Sequence, residues 1–252
     1  MLLAWREICK SAGMLTDRIE FISAYCDRWC ERCAFTNRCS TFAVTAAESM
    51  CDGDIGAAIE LALGRPRRVE PAREPAPVER LLDQMGDVTV PDREMAAFRK
   101  AQQARRARID REPISQIAQT FTRRAVDWLQ AHREPLLPGA DPVLREALAV
   151  AGWDACLVAA KIHRALSGRD AARRGEMPGH PVQNDWNGSA KVALISLARS
   201  ESAWRVIDRV TEGQPGVHEG AAVLADAVGH LRRRIESEFP KAMAFIRPGF
   251  DG

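Results

Sequence analysis

Apolar residues recur every three or four positions over most of the chain, which is the spacing of one buried face of an α-helix. Four such stripes lie between residues 114 and 235. Their members are Ile114, Ile117, Phe121, Ala125 and Trp128; Leu144, Leu148, Ala151, Ala155, Val158 and Ile162; Ala193, Leu197, Ser200, Trp204 and Ile207; and Leu224, Val228, Leu231 and Ile235. Each stripe needs a partner that covers it, and no run favours β-strands. The pattern therefore predicts an all-α protein whose main part is an antiparallel helical bundle.

The first 64 residues predict two further helices. One begins near Thr16, where Thr16 or Asp17 can cap it and Glu20 can complete a capping box. The other covers Asp54 to Leu63 and ends at Gly64. The apolar stripe of the first helix runs through Leu15, Ile19, Ile22, Cys26, Cys30 and Cys33. This spacing predicts a cysteine-bearing N-terminal helix whose thiols continue a buried face.

Residues 65 to 92 differ from the rest of the chain in composition. Prolines recur there and Arg65–Arg68 is strongly basic, so the stretch cannot continue a helix and is predicted to be an exposed Pro/Arg-rich linker. The sequence thus divides into a cysteine-motif helical segment at 1–64, a linker at 65–92 and a helical bundle at 93–252. Within the last part, residues 93 to 111 are charged and predict a solvated helix.

Composition and charge narrow the class of protein. The formal net charge is only +2, so bulk charge gives no case for nucleic acid. The run Arg105, Arg106 and Arg108 suggests nucleic-acid binding but is better explained as a solvated helix face with interleaved acids. No apolar run reaches the length of a membrane span. The first residues lack a signal-peptide cleavage pattern, so we expect a cytoplasmic location, where thiols stay reduced.

Four of the seven cysteines lie close together, with the spacing C-x3-C-x2-C-x5-C. They are Cys26, Cys30, Cys33 and Cys39. On a helix the first three thiols fall within about 60° of one another, and the fourth can return to the same volume after a turn. A disulfide is disfavoured, because helix neighbours have Cβ atoms about 5–6 Å apart and a disulfide needs about 3.8 Å. Such clustering predicts metal ligation, with plain core packing as the alternative.

The spacing also bears on which metal is bound. In an unbroken helix the Cα atoms of Cys26 and Cys33 lie about 10.5 Å apart. One zinc ion needs its sulfur ligands within about 4 Å of each other. An iron–sulfur cluster spreads its thiolates over a wider volume, so an unbroken helix favours a 4Fe–4S cluster. If the helix unwinds near Cys30 or Cys33, zinc becomes possible, and copper(I) ranks third.

The surroundings of the cysteines suit a thiolate site. Arginines can offset thiolate charge, and aromatic side chains can exclude water or simply pack in the core. The arginines are Arg28, Arg32 and Arg38, and the aromatic residues are Tyr25, Trp29, Phe35 and Phe42. Cys51 is a possible fifth ligand or resolving thiol, but a structural role is favoured. Cys156 lies far along the chain and is expected to be dispensable.

The motif resembles that of a bacterial family of helical proteins of unassigned function. That family's pattern is a tyrosine, four cysteines at this spacing, and Phe-Thr-x-Arg between the last two. The stretch from Tyr25 to Cys39 matches it throughout. The segments Lys161–Leu166 and Asp185–Ile195 also look like the family. The resemblance implies helical architecture and the cysteine motif, and it implies no reaction.

A polar loop at 169–187 is predicted between the second and third stripes. Its end, 184–191, leads into a helix that Asp185 or Asn187 can cap. A plain capped helix start is favoured. The alternative is that this helix start binds an anion with help from Lys191, although the glycine spacing of a Walker motif is missing. His163 is expected to cap or pack, with a functional role as the alternative.

Three functional hypotheses follow from these features. The first is a redox or sensor protein with a 4Fe–4S cluster on Cys26, Cys30, Cys33 and Cys39. The second is a zinc-stapled module that binds a partner protein. The third is an enzyme that uses the polar loop at 184–191, although no nucleophile–base pair and no Glu-x-x-His di-iron motif is present. The expected partner is a redox or other protein, with no membrane contact.

Overall fold

The computed structural model describes residues 17–64, 91–176 and 179–251, and these residues are helical with no β-strand. The all-α prediction is confirmed. The α-helices of this part are α1 (Ser40–Glu48), α2 (Ile55–Leu63), α3 (Asp92–Asp110), α4 (Pro113–Leu136), α5 (Pro142–Arg173), α6 (Asp185–Val210) and α7 (Val217–Glu238). None of these helices combines the length and apolarity needed to cross a membrane.

The described residues fall into two compact units that do not follow the order of the chain. The smaller comprises residues 17–18, 34–64 and 91–107, and the larger comprises residues 19–33 and 108–251. Most of the predicted linker at 65–92 lies outside the described residues. The predicted domain limits therefore stay a prediction.

In the smaller unit, helices α1 and α2 pack on each other. The Asp54 carboxylate caps α2 by accepting a hydrogen bond from the Ala57 amide at 3.0 Å. Gly64 follows the helix with a φ of +81°, a conformation that favours glycine. The helix predicted from Asp54 to Leu63 is thus confirmed. Helix α3 is exposed along most of its length, as predicted for a solvated helix at 93–111.

The larger unit is built on a four-helix bundle. Helix α5 packs on α4 and α6, and α7 packs on the same two helices, so each helix covers the apolar stripe of two others. Neighbours run antiparallel: on α5 and α6, for example, Asp154 pairs with Arg199 while Gly168 lies against Trp186. Every residue of the four predicted stripes is buried except Ile117, which is partly buried against the core.

The loop predicted at 169–187 is shorter than expected. Helix α5 continues to Arg173 and α6 begins at Asp185, so only residues 174–184 connect them. Gly168 lies within α5 rather than at its end. Its lack of a side chain allows a close contact with Trp186 on α6. A Cβ placed there would lie 3.3 Å from the Cβ of Trp186.

The predicted helix from Thr16 through Cys33 is wrong. Thr16 itself lies outside the described residues, and the cysteine region consists of turns and three short 3₁₀-helices, Ile22–Ala24, Cys30–Arg32 and Thr36–Arg38. Phe21 and Arg28 have φ angles of +59° and +61°, which a right-handed helix cannot accommodate.

Side chains of the bundle replace the hydrogen bonds that such a helix would make. The Ala24 carbonyl accepts a hydrogen bond from Arg164 Nη1 at 2.8 Å. The Asp27 carbonyl accepts one from Trp153 Nε1, also at 2.8 Å. The stretch from Ile19 to Cys33 is here called the cysteine segment. Because side chains of α5 satisfy these carbonyls, the segment does not need helical hydrogen bonds at these positions.

A close approach of α4 and α7 supplies a test of the bundle. A Cβ at Gly220 would lie 2.7 Å from the indole of Trp128, so Gly220→Ala should destabilise the protein by about 1–3 kcal/mol through overpacking. Gly152 on α5 is the control, since a Cβ there meets nothing within 4 Å. Gly152→Ala should be neutral or stabilising by up to about 1 kcal/mol. Urea unfolding of both variants checks this, and equal effects would contradict the packing.

Candidate metal centre

The four motif cysteines lie at the protein surface rather than in the core. Cys26, Cys30, Cys33 and Cys39 are each half-buried, and no described cysteine is in a disulfide. The boundary between the two units falls between Cys33 and Ala34, so the first three belong to the larger unit and Cys39 to the smaller.

Two of the sulfurs make local hydrogen bonds. The Cys26 thiol donates to the Ser23 carbonyl at 3.5 Å. Cys39 stands at the N-cap of α1, where its sulfur accepts a hydrogen bond from the Phe42 amide at 3.5 Å. A helix N-terminus favours negative charge, so the Cys39 sulfur occupies a position that suits a thiolate.

As the side chains stand, no three His, Cys, Asp or Glu residues in the described ranges are grouped so that they could hold a metal ion. The ligand set of Cys26, Cys30, Cys33 and Cys39 therefore stays a prediction. Cys51 is half-buried in the turn after α1, and Cys156 is exposed on α5.

An ion network fixes the middle of the cysteine segment to the bundle. Arg199 on α6 donates to both carboxylate oxygens of Asp154 on α5, at 2.6 and 2.8 Å. The same guanidinium donates to Asp27 at 2.5 Å. Asp154 is fully buried. Burial alone would lower the pKa of Arg199, but its hydrogen bonds to Asp154 and Asp27 outweigh this and hold the pKa above its ordinary value. Arg199 is therefore a permanent cation between two acids.

Tyr25, directly before Cys26, is the second attachment point. Its hydroxyl donates to Asp185 at 3.2 Å, and the same carboxylate pairs with Arg164 at 2.5 Å. The ring lies 4.7 Å from that of Phe245. On α6 it lies against Gly188, where any Cβ would clash with it. Burial, with Asp185 nearby, raises the pKa of Tyr25, so its hydroxyl stays protonated and remains a donor.

Trp29 is the third attachment point. It stacks on Trp153 of α5 with ring centroids 5.1 Å apart and planes 12° from parallel. The Arg32 guanidinium lies 3.6 Å from the centre of the Trp29 ring and pairs with Glu146 on α5. Arg32 is thus shared between an aromatic face and a carboxylate, and Trp29 packs on the bundle. In the smaller unit, Arg38 pairs with Asp17.

Lys161 lies under the segment on α5. Only 7% of its surface is exposed, and its ammonium donates to the Ala24 carbonyl at 3.3 Å. Burial lowers the pKa of Lys161 to about 8. Lys161 thus places a buried ammonium group on the backbone two residues before Cys26.

The end of the polar loop is a capped helix start, as favoured from the sequence, but the capping residue differs from those predicted. Asn184, rather than Asp185 or Asn187, caps α6 by accepting from the Asn187 amide at 2.8 Å. The Lys191 ammonium donates to the Phe245 carbonyl at 2.6 Å and pairs with Asp251 at 2.7 Å. The charge predicted to attract an anion is thus occupied by the C-terminal segment of the chain itself.

The three stretches that carry the family resemblance meet in space. Tyr25 belongs to the cysteine motif, Arg164 to the Lys161–Leu166 stretch and Asp185 to the start of α6. These three side chains form one hydrogen-bonded group. His163, from the same stretch as Arg164, lies 3.7 Å from Asp110 on α3.

The sequence analysis predicted no role for the residues of the bundle that contact the cysteine segment. Asp154 and Lys161 are seven residues apart and therefore lie on one face of α5, among buried alanines and valines. Charged residues on an otherwise apolar helix face are rarely buried unless they are paired. That interruption of the stripe was the signal available, although it could not identify Arg199 or the cysteine segment as the partners.

Comparison with known proteins adds no family: no family model matches the chain, and no curated protein or solved structure does.

The ion network predicts an unequal response to two arginine substitutions. Arg199→Met leaves Asp154 buried without a counter-ion and should destabilise the protein by about 3–5 kcal/mol. Arg205→Met is the control, because Arg205 pairs with Glu201 at the surface, and a loss of at most about 1 kcal/mol is expected. Chemical denaturation measures both. Similar small losses would mean that the network does not hold the segment.

The C-terminal contact predicts a response to acid. Hydrogen bonds from Arg247 and then Lys191 hold the pKa of Asp251 well below its ordinary value. The stabilisation is therefore complete near neutral pH and is lost as pH falls below about 4 toward the lowered pKa. Asp251→Asn should remove it, so the difference in unfolding free energy between wild type and variant should shrink in acid. The exposed Asp226→Asn serves as control, and a difference that does not vary with pH would contradict this assignment.

Proposed function

We propose that this is a metal-binding protein in which Cys26, Cys30, Cys33 and Cys39 hold a 4Fe–4S cluster, and that it acts as a redox or sensor protein. The observation that carries the proposal is the place of the cysteines. All four are half-buried, and Cys26, Cys30 and Cys33 lie on the cysteine segment, whose backbone accepts hydrogen bonds from Trp153 and Arg164 of the bundle. Cysteines that served only as small core residues would be buried among apolar side chains.

Electrostatics also support the proposal. Four thiolates on a metal centre carry net negative charge, and cations close to a cysteine ligand favour that state. Lys161, Arg164 and Arg199 all lie against residues 24–27, on either side of Cys26. The Phe42 amide adds a donor to the Cys39 sulfur. Hydrogen bonds to ligand sulfurs are one means by which proteins tune iron–sulfur clusters.

Zinc is the second candidate, and the broken helix is the observation that favours it. A single zinc ion is disfavoured only if Cys26 and Cys33 are separated along a continuous helix. The segment instead turns at Arg28, where φ is +61°, and the ligands are free of that spacing. In this case the metal would be structural and the bundle would bind a partner protein.

Either metal implies that binding reshapes the turns. The sulfurs are not grouped as they stand, so the stretch between Cys26 and Cys39 must close around the metal, and binding free energy is then shared with folding. Cys39 is included because of its position in the motif.

The proposed function also includes a location, a partner and a family. We propose that the protein lies in the cytoplasm, where thiols stay reduced, and that it acts with a redox partner protein. We also propose that it belongs to the bacterial family that the motif resembles.

Metal and sulfide analysis of anaerobically purified protein tests the proposal. A 4Fe–4S cluster predicts about four iron and four sulfide ions per chain with visible absorption, whereas zinc predicts one colourless ion per chain. Serine substitution of any one of the four cysteines should lose the metal. The exposed Cys156→Ser is the matched control and should keep it.

Cys51→Ser separates a four-thiolate site from one with a fifth ligand, since loss of metal in that variant would add Cys51 to the set. A preparation that carries neither metal nor sulfide would refute the proposal.

A further inference from the structure

Helices α4 and α7 leave a groove on the surface of the larger unit, with a volume of about 580 Å³. The floor of this groove is apolar, since Phe121 is buried there and Ile117 and Ala227 are partly buried against the core. On the α7 wall, Val223 keeps 53% of its surface exposed. Exposed apolar surface beside a groove is a common feature of faces that bind another molecule.

The two walls of the groove carry opposite charges. Arg124 lies on α4 and Asp226 lies on α7, and both side chains are exposed. Within the described ranges neither side chain forms a hydrogen bond or an ion pair. Another charged side chain of α7, Arg234, does find an acid on its own chain, Glu238. The charges of the groove are therefore available to a molecule that binds there.

The two charges also stand at nearly the same height along the groove. Helices α4 and α7 run antiparallel, and Gly220 lies against Trp128. Arg124 precedes Trp128 by four residues and Leu224 follows Gly220 by four, so these two positions are level. Asp226 lies two residues beyond Leu224, which is about 3 Å along the helix axis.

A second copy of the chain matches this pattern. When two such grooves face each other about a two-fold axis that runs along them, α4 of one copy lies opposite α7 of the other. Each Arg124 then meets Asp226 of the other copy at about the same height, and the apolar floors and Val223 are covered together. A surface that presents both charges at equal height is self-complementary, as an isologous dimer requires.

We propose that the groove between α4 and α7 is the interface of a symmetric homodimer, in which Arg124 of each copy pairs with Asp226 of the other. Burial of the apolar floor drives association, and the two ion pairs fix the register, because charges at an interface contribute specificity more than affinity. This interface is independent of the metal centre. At concentrations where the copies separate, Asp226 is unpaired, so Asp226→Asn remains a valid surface control for unfolding measurements made there.

The oligomeric state of the full chain tests the proposal. Sedimentation equilibrium of wild type should give twice the monomer mass of 27.9 kDa. Arg124→Asp and Asp226→Arg should each weaken self-association by about 100-fold or more, because like charges then face each other in both pairs. Lys100→Asp, exposed on α3 and outside the groove, makes the same change of charge as Arg124→Asp and should leave the dimer intact. Circular dichroism checks that each variant is folded.

Mixing the two charge-reversed variants is the sharpest measurement. Alone, the Arg124→Asp chain has acids on both walls of the groove and the Asp226→Arg chain has arginines on both. Across an interface of the proposed symmetry, each acid of one chain would meet an arginine of the other. Two proteins that are monomeric alone should therefore form a heterodimer when mixed, and the double variant should again form a homodimer.

Three results would overturn the proposal. A wild type that remains monomeric at the highest concentration reached would mean that the groove does not bind a second copy and is left to a different partner. A dimer that both charge-reversed variants retain would place the interface on another face. Variants that are monomeric alone and do not associate when mixed would show that Arg124 and Asp226 do not meet.

Discussion

The conformation of the cysteine segment depends on one exchange of hydrogen bonds. Backbone carbonyls that a helix would have satisfied internally are satisfied instead by Arg164, Lys161 and Trp153 on helix α5. These donors are held on a packed helix, so accepting from them costs little further order in the bundle. The segment therefore does not form an α-helix, and its thiols project from turns rather than from a buried helix face.

Charges reinforce that exchange and select one arrangement. Arg199 binds acids from both α5 and the cysteine segment, and Asp185 binds groups from α5 and the segment at once. Each of these side chains loses its partners if the segment shifts along the bundle. A stripe of alanine and valine would tolerate such a shift, since apolar contact has no direction. The buried ions thus contribute positional specificity more than net stability, in keeping with the cost of burying charge.

The four-helix bundle could be predicted from the sequence because its information is local. Each stripe repeats over several turns, and nearly every residue in the four stripes is buried. The same rule failed at Cys26, Cys30 and Cys33, whose spacing is equally helical. Their conformation is decided by partners more than 100 residues away, Asp27 with Trp153 for example, which periodicity cannot detect. Anion binding with help from Lys191 was the less favoured alternative for the start of α6, and the partner that Lys191 has, Asp251, lies sixty residues further on, also beyond the reach of a local pattern.

The failed helix changes the chemistry that can be argued from the motif. Spacing along a continuous helix was the reason for favouring a cluster over zinc, and that reason no longer holds. What remains is the electrostatic setting: Lys161, Arg164 and Arg199 donate to residues 24 and 27, on either side of Cys26. Both a tetrathiolate zinc site and a 4Fe–4S cluster would carry negative charge that suits such cations. Of the two, only the cluster would gain or lose an electron, so only there would neighbouring cations act on reactivity as well as on affinity. The chain's own charge arrangement therefore has its largest functional effect if the centre is redox-active.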